Sequence, residues 1–116
     1  MIIRADALAK ILYAGLTITD YTGGSGLGSS VAIVEVPSGA RHPRAWSKRS
    51  DKYYLVLEGR IRFTLGGVDH DLGERDFCLV RRGERVAYEN PAPSPATLVL
   101  VHTPSFELDA EVLEGP

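Results

Sequence analysis

From Thr17 onward the hydrophobic residues fall in short runs, each closed by Gly, Pro, Asn or a polar cluster. The runs are VAIVEV at Val31 to Val36, YYLVL at Tyr53 to Leu57, RIRFTL at Arg60 to Leu65 and VDHDL at Val68 to Leu72. FCLV at Phe77 to Val80, VAYE at Val86 to Glu89 and TLVLVH at Thr97 to His102 follow. Short runs rich in β-branched and aromatic residues, at this spacing, predict an antiparallel sandwich or barrel. Ile61, Phe63 and Leu65 alternate with Arg60, Arg62 and Thr64, which gives that strand one buried and one wet face. Gly66-Gly67 supplies the positive φ angles of a two-residue hairpin turn. The YYLVL run is apolar on both faces, as in the middle of a two-layer structure or under another subunit. Ahead of these, Leu8, Ile11 and Leu12 share one side of a helical turn or two, and Thr22 to Ser30 reads as a flexible Gly/Ser loop.

Length and composition narrow the class. A chain of 116 residues, 44% hydrophobic and 24% charged, makes one globular domain, residues 1–116. A net charge of -2 supplies no electrostatic pull toward nucleic acid or an anionic membrane, so neither is expected as a partner. Basic residues cluster at Arg41 to Lys52 and Arg81 to Arg85, but acids lie close by, and both clusters read as solvated loops. The start of the chain resembles neither a signal peptide nor a membrane span, and a cytoplasmic location is expected. Cys78, inside an apolar run, reads as a buried structural thiol.

The stretch from Gly39 to Gly59 ends in YLVLEG, and Asp76, FCLV, Gly83 and Asn90 follow in order. Together with Pro37 and Pro43, these residues resemble the two motifs of a small single-domain cupin of the conserved-barrel type, over about residues 30–103. The resemblance implies an all-β double-stranded β-helix, a jelly-roll barrel, with a short helical or extended N-terminal segment. It also fixes where metal ligands belong. The two His positions of the first motif fall on Ala45 and Ser47, its Glu position on Lys52, and the His position of the second motif on Val86. A methyl, a hydroxyl, an ammonium and an isopropyl group do not bind a first-row metal, so neither metal nor other cofactor is expected. His42, His70 and His102 form no compact ligand spacing and read as surface or rim histidines.

In that frame Ser47, Lys52 and Val86 point into the barrel, and strand alternation adds Tyr54, Val56 and Tyr88. His102 either joins the pocket or faces away, and Trp46 faces outward or covers the rim. The candidate ligand-binding residues are Ser47, Lys52, Tyr54, Val86, Tyr88 and His102. One cation, two phenols and apolar walls suit a small organic ligand carrying an anionic or carbonyl group. In the alternative, bland reading the barrel is filled and Lys52 snorkels beside Asp51. The function expected is metal-independent binding of a small molecule. The alternative is a cupin-type enzyme, either an isomerase, epimerase or cyclase, or an oxygenase with an atypical ligand set. No His-carboxylate pair is identifiable in the sequence. The doubly apolar YYLVL strand and the hydrophobic N-terminal segment predict a homodimer.

Overall fold

A computed structural model describes residues Met1–Glu114. Eleven strands, β1 (Ile11–Tyr13), β2 (Leu16–Asp20), β3 (Ser30–Val36), β4 (Arg41–Ser47), β5 (Asp51–Glu58), β6 (Ile61–Leu65), β7 (Val68–Leu72), β8 (Phe77–Val80), β9 (Val86–Glu89), β10 (Ala96–Thr103) and β11 (Glu111–Leu113), build two sheets. The first has the order β1-β2-β3-β10-β5-β8, the second β11-β4-β9-β6-β7. All pairings are antiparallel. The inner faces close on Leu16, Val34, Val36, Val56, Ile61, Phe63, Val80, Val86 and Leu98, all at most 1% exposed. This is the antiparallel sandwich that the short runs predict, in the jelly-roll form that the resemblance implies.

The hairpin at Gly66-Gly67 forms as expected, with φ of 54° and 79°. Gly59 is a stricter requirement. Its φ is +80°, and a Cβ there would lie 2.7 Å from the Pro95 carbonyl oxygen. Only glycine lets β5 turn into β6 against the start of β10. Asn90 pins the other end of the sandwich. Its amide donates to the Val36 and Ser94 carbonyls at 3.0 and 2.8 Å, and its Oδ1 accepts from the Ala92 amide at 2.9 Å.

Three elements depart from the expectation. The first dozen residues hold one 3-10 turn at Ala5–Ala7, and Ile11 and Leu12 belong to β1 instead of a helix. Ala14 and Gly15, both at positive φ, turn β1 tightly back onto β2. Arg41–Ser47, which reads as loop because of its charges and Pro43, is a strand with a register shift between His42 and Ala45. The bulge accommodates a proline that could not donate within a regular ladder. The third, β11, is a short edge strand on β4 that no hydrophobic run announces.

The two outer faces differ in chemistry. On the five-stranded sheet Arg62 pairs with Asp71 and Glu89, and Arg85 lies over Trp46, 4.6 Å from the ring centre. Trp46 thus faces outward. On the six-stranded sheet Val31, Tyr53, Leu55, Leu57 and Phe77 are 36 to 53% exposed. Strand register sets Leu55 beside Val99 and Phe77, and Val101 beside Val31 and Tyr53. YYLVL therefore has only one face in the core, and its second face looks out of the monomer. We propose that a second copy of the chain covers this face, since the charged opposite face is the one built for water. Light scattering is expected to give twice the monomer mass, and Leu55→Asp the monomer mass with the thermal transition retained. A wild-type monomer at micromolar concentration would end the proposal.

Candidate functional site

A cavity of about 410 Å³ lies at one end of the sandwich, walled by both sheets and by the segment after β10. Strand alternation turns Lys52 and Tyr54 of β5 inward, together with Tyr88 of β9 and His102 of β10. The bulge in β4 brings His42 to the same wall as Ala45. Glu111 arrives from β11, and Tyr13 from β1.

The aromatic groups form a connected stack. His42 lies nearly parallel to Tyr88, with centroids 5.1 Å apart and planes at 22°, and Tyr13 flanks its ring at 5.6 Å. Tyr88 meets Tyr54 edge-on at 5.6 Å, and Phe63 underlies both at 5.2 and 5.4 Å. Packing on both sides fixes the imidazole in place. Its Nδ1 lies 2.7 Å from the Pro43 carbonyl oxygen, so this nitrogen carries the proton and donates. The Nε2 lone pair is thereby left as the acceptor. Burial holds the His42 pKa below the ordinary imidazole value, and the nearby Lys52 charge acts the same way. The Pro43 bond and Glu111 oppose them without reversing the shift.

Lys52 and Glu111 form a buried ion pair, Nζ to Oε1 2.5 Å, with side chains only 5% and 13% exposed. The other carboxylate oxygen, Oε2 of Glu111, is buried and has no protein donor. His102 sits across the ladder from Lys52 and meets Phe106 edge-on at 5.1 Å. Burial first, and then Lys52, push the His102 pKa down to about 3. Burial raises both Tyr54 and Tyr88, whose phenols stay protonated and able to donate. The site at neutral pH thus combines two neutral imidazoles, the phenols of Tyr13, Tyr54 and Tyr88, and one internally compensated ion pair.

Of the six residues proposed from the sequence, Lys52, Tyr54, Tyr88 and His102 line this cavity. Ser47 and Val86 do not. The Ser47 hydroxyl accepts from the Arg49 and Ser50 amides at 3.1 and 2.9 Å and shapes the turn after β4. Val86 belongs to the apolar core. Lys52 does not snorkel beside Asp51, because Glu111 holds it inside. His42 is a cavity residue in a strand, not a loop histidine at the surface, whereas His70 is exposed on β7. Glu111 escaped sequence reasoning altogether. Its only signal is the alternation of Glu111 and Leu113 around Val112, and that says nothing of where the strand docks.

The four positions where the family frame places metal ligands, Ala45, Ser47, Lys52 and Val86, are all buried inside the barrel. Their side chains do not fit a divalent metal, and Lys52 brings a positive charge to its centre. Among the described residues no three His, Cys, Asp or Glu side chains converge to replace them.

Comparison with solved structures finds the same architecture repeatedly. Streptomyces PAC13, crystallised with uridine as a variant with one histidine changed to glutamine, is 22% identical with a TM-score of 0.83. The match covers 96% of this chain and 88% of that one. PAC13 is described as a nucleoside dehydratase, and two further structures pair uridine with tyrosine-to-phenylalanine variants. An uncharacterised double-stranded β-helix protein from Klebsiella pneumoniae is 16% identical at a TM-score of 0.80, over 99% of this chain and 97% of that one. A predicted oxalate decarboxylase from Thermotoga maritima is 16% identical at 0.78, over 89% and 98%. No curated protein matches. The model of the cupin domain matches residues 32–102, most of the barrel, and the chain belongs to the cupin family.

Proposed function

We propose that the cavity binds a small uncharged molecule bearing hydroxyl groups and a flat carbonyl-containing ring, a nucleoside being the class that fits, and acts on it without a metal. The observation that carries this reading is the buried Lys52–Glu111 pair with its unused Oε2. A buried carboxylate oxygen without a donor is costly, and a ligand hydroxyl or N–H group repays that cost. The ammonium is already neutralised by Glu111, and both histidines are held neutral. Lys52 thus gives no argument for the anionic ligand that a free lysine suggests, while its remaining N–H groups still suit a carbonyl oxygen. The wall of Tyr13, His42 and Tyr88 offers faces and edges against which a flat ring packs.

The same residues can move a proton. With Nδ1 bonded to Pro43, the His42 Nε2 is a base directed at the cavity. It takes a proton from a carbon or hydroxyl of the ligand, and the resulting imidazolium is stabilised by Glu111, whose charge already favours it. Tyr54 and Tyr88 donate hydrogen bonds to oxygens on the ligand. That PAC13 is a nucleoside dehydratase studied with histidine and tyrosine variants supports the choice of ligand class, since this cavity gathers the same residue types.

Calorimetry with uridine is the direct test. Saturable binding is expected, together with much weaker binding of orotidine, which adds a carboxylate to the ring. Glu111→Gln keeps the shape but removes the charge, and it is expected to weaken uridine about tenfold or more, the value of one charge-assisted hydrogen bond. Preference for orotidine over uridine, or no saturable binding of uridine or ribose, would overturn the reading.

A further inference from the structure

A second concavity, of about 470 Å³, lies on the outside of the barrel between Arg49, Asp51, Arg81, Arg82, Thr103 and Pro104. The sequence presents its arginines as two separate basic loops. The fold brings them together. Asp51 opposes Thr103 across the β5–β10 ladder, and Lys52 opposes Val80 across β5–β8. The two loops are tied directly as well, since the Gly83 amide donates to the Ser47 carbonyl at 2.9 Å.

What distinguishes this groove is the state of its charges. Among the described residues, the ion pairs engage Lys10, Arg44, Lys52, Arg62 and Arg85, and none engages Arg49, Arg81 or Arg82. The nearby carboxylates are occupied by backbone. Asp51 accepts from the Arg82 amide at 2.8 Å, and Glu84 accepts from the Arg81 amide at 3.0 Å. These bonds shape the loop and leave the guanidinium groups of Arg81 and Arg82 unpaired. Arg49 is held at the rim by one bond, Nε to the Ser105 carbonyl at 3.1 Å, which leaves its terminal N–H groups free. Three guanidinium forks thus surround one concave surface against a single carboxylate. Guanidinium forks match the oxygens of a tetrahedral oxyanion in pairs, and several of them favour a dianion over a monovalent carboxylate.

We propose that this groove binds a phosphate-class oxyanion, either free phosphate or the phosphate of a phosphomonoester. The assignment does not depend on what occupies the barrel cavity, which lies on the opposite side of β5: Lys52 points inward and Asp51 lies in the groove.

Amide NMR of the intact chain, titrated with sodium phosphate and with ribose 5-phosphate against sodium chloride at equal ionic strength, tests it. Saturable shifts centred on Arg82, Gly83 and Thr103 are expected with both phosphates and not with chloride. Tighter binding of ribose 5-phosphate identifies a phosphomonoester as the source, and equal binding identifies free phosphate. The double variant Arg81→Gln, Arg82→Gln is expected to weaken binding tenfold or more. It leaves the Arg49 bond to Ser105 untouched, and Arg49→Gln measured separately guards against a folding effect. Chloride shifts that match those of phosphate would show simple screening and overturn the proposal. So would unchanged phosphate affinity in the double variant. A variant that loses its dimer while the wild type ignores phosphate would assign the groove to a carboxylate of a second copy, and would equally overturn it.

Discussion

Lys52→Met is expected to lower the stability of the fold by about 3–5 kcal/mol, the usual result of stripping one partner from a buried ion pair. The stem of the side chain survives in this variant, so lost packing contributes little. The damage comes from Glu111, whose carboxylate is then left without its cation. The double variant Lys52→Met, Glu111→Leu removes both charges and is expected to recover most of the loss, because a buried pair often stabilises no more than apolar residues of similar size. Urea unfolding of the wild type, the two single variants and the double variant gives the coupling directly. Additive losses would mean that the two groups do not act as a pair. Without the pair the double variant should still fold, yet lose the polar centre on which the proposed ligand depends.

Acid is expected to destabilise the protein from about pH 6.5 downward. The pKa of His102 is about 3 in the fold and near 6.5 when unfolded, and that of His42 is lowered in the same direction. Both groups are depressed, so the unfolded chain binds more protons below about pH 6.5, and for His102 it does so down to about pH 3. Stability is therefore full above about pH 6.5 and falls as pH drops toward 3, by as much as about 1.4 kcal/mol per unit for His102, and His42 adds to the decline in the same direction. His102→Gln, which keeps a neutral polar group in place, is expected to flatten the upper part of that decline. Equal slopes for variant and wild type between pH 6 and 4 would show that His102 is not the group responsible. Activity dependent on a neutral His42 should persist across the neutral range.

The fold was legible because its strands obey a local rule. Val31 to Val36 and Thr97 to His102 show in sequence the alternation that β3 and β10 show in space, and Gly66-Gly67 marks its turn by the conformation that only glycine adopts freely. Where tertiary contacts override local preference, the sequence pattern misleads. Pro43 and three neighbouring cations disguised β4, which is a strand because β9 and β11 pair with it on either side. Half of the site followed from alternation on β5 and β9, which turns Tyr54 and Tyr88 inward. The other half depends on a bulge that redirects His42 and on a late segment that carries Glu111 back to Lys52. Neither has a local signature. The charge balance of the site is not legible in sequence for the same reason, since a lysine looks free until its distant partner is in place.

The attachment of β11 has a consequence for how the site opens. Only three residues pair it to β4, and it lies at the edge of its sheet. Two arginines, Arg44 and Arg85, hold Glu114 from outside at 3.2 and 3.3 Å, and Lys52 holds Glu111 from within. Short edge strands exchange their amide protons through local opening long before the whole chain unfolds. Here such an opening would strip Lys52 of its counter-charge, so a strand with little ladder of its own borrows its protection from an ion pair. A ligand that donates to Oε2 binds only the closed form and deepens that protection by mass action. Occupancy of the barrel would then be recorded at its rim, as slowed hydrogen exchange in Glu111–Leu113.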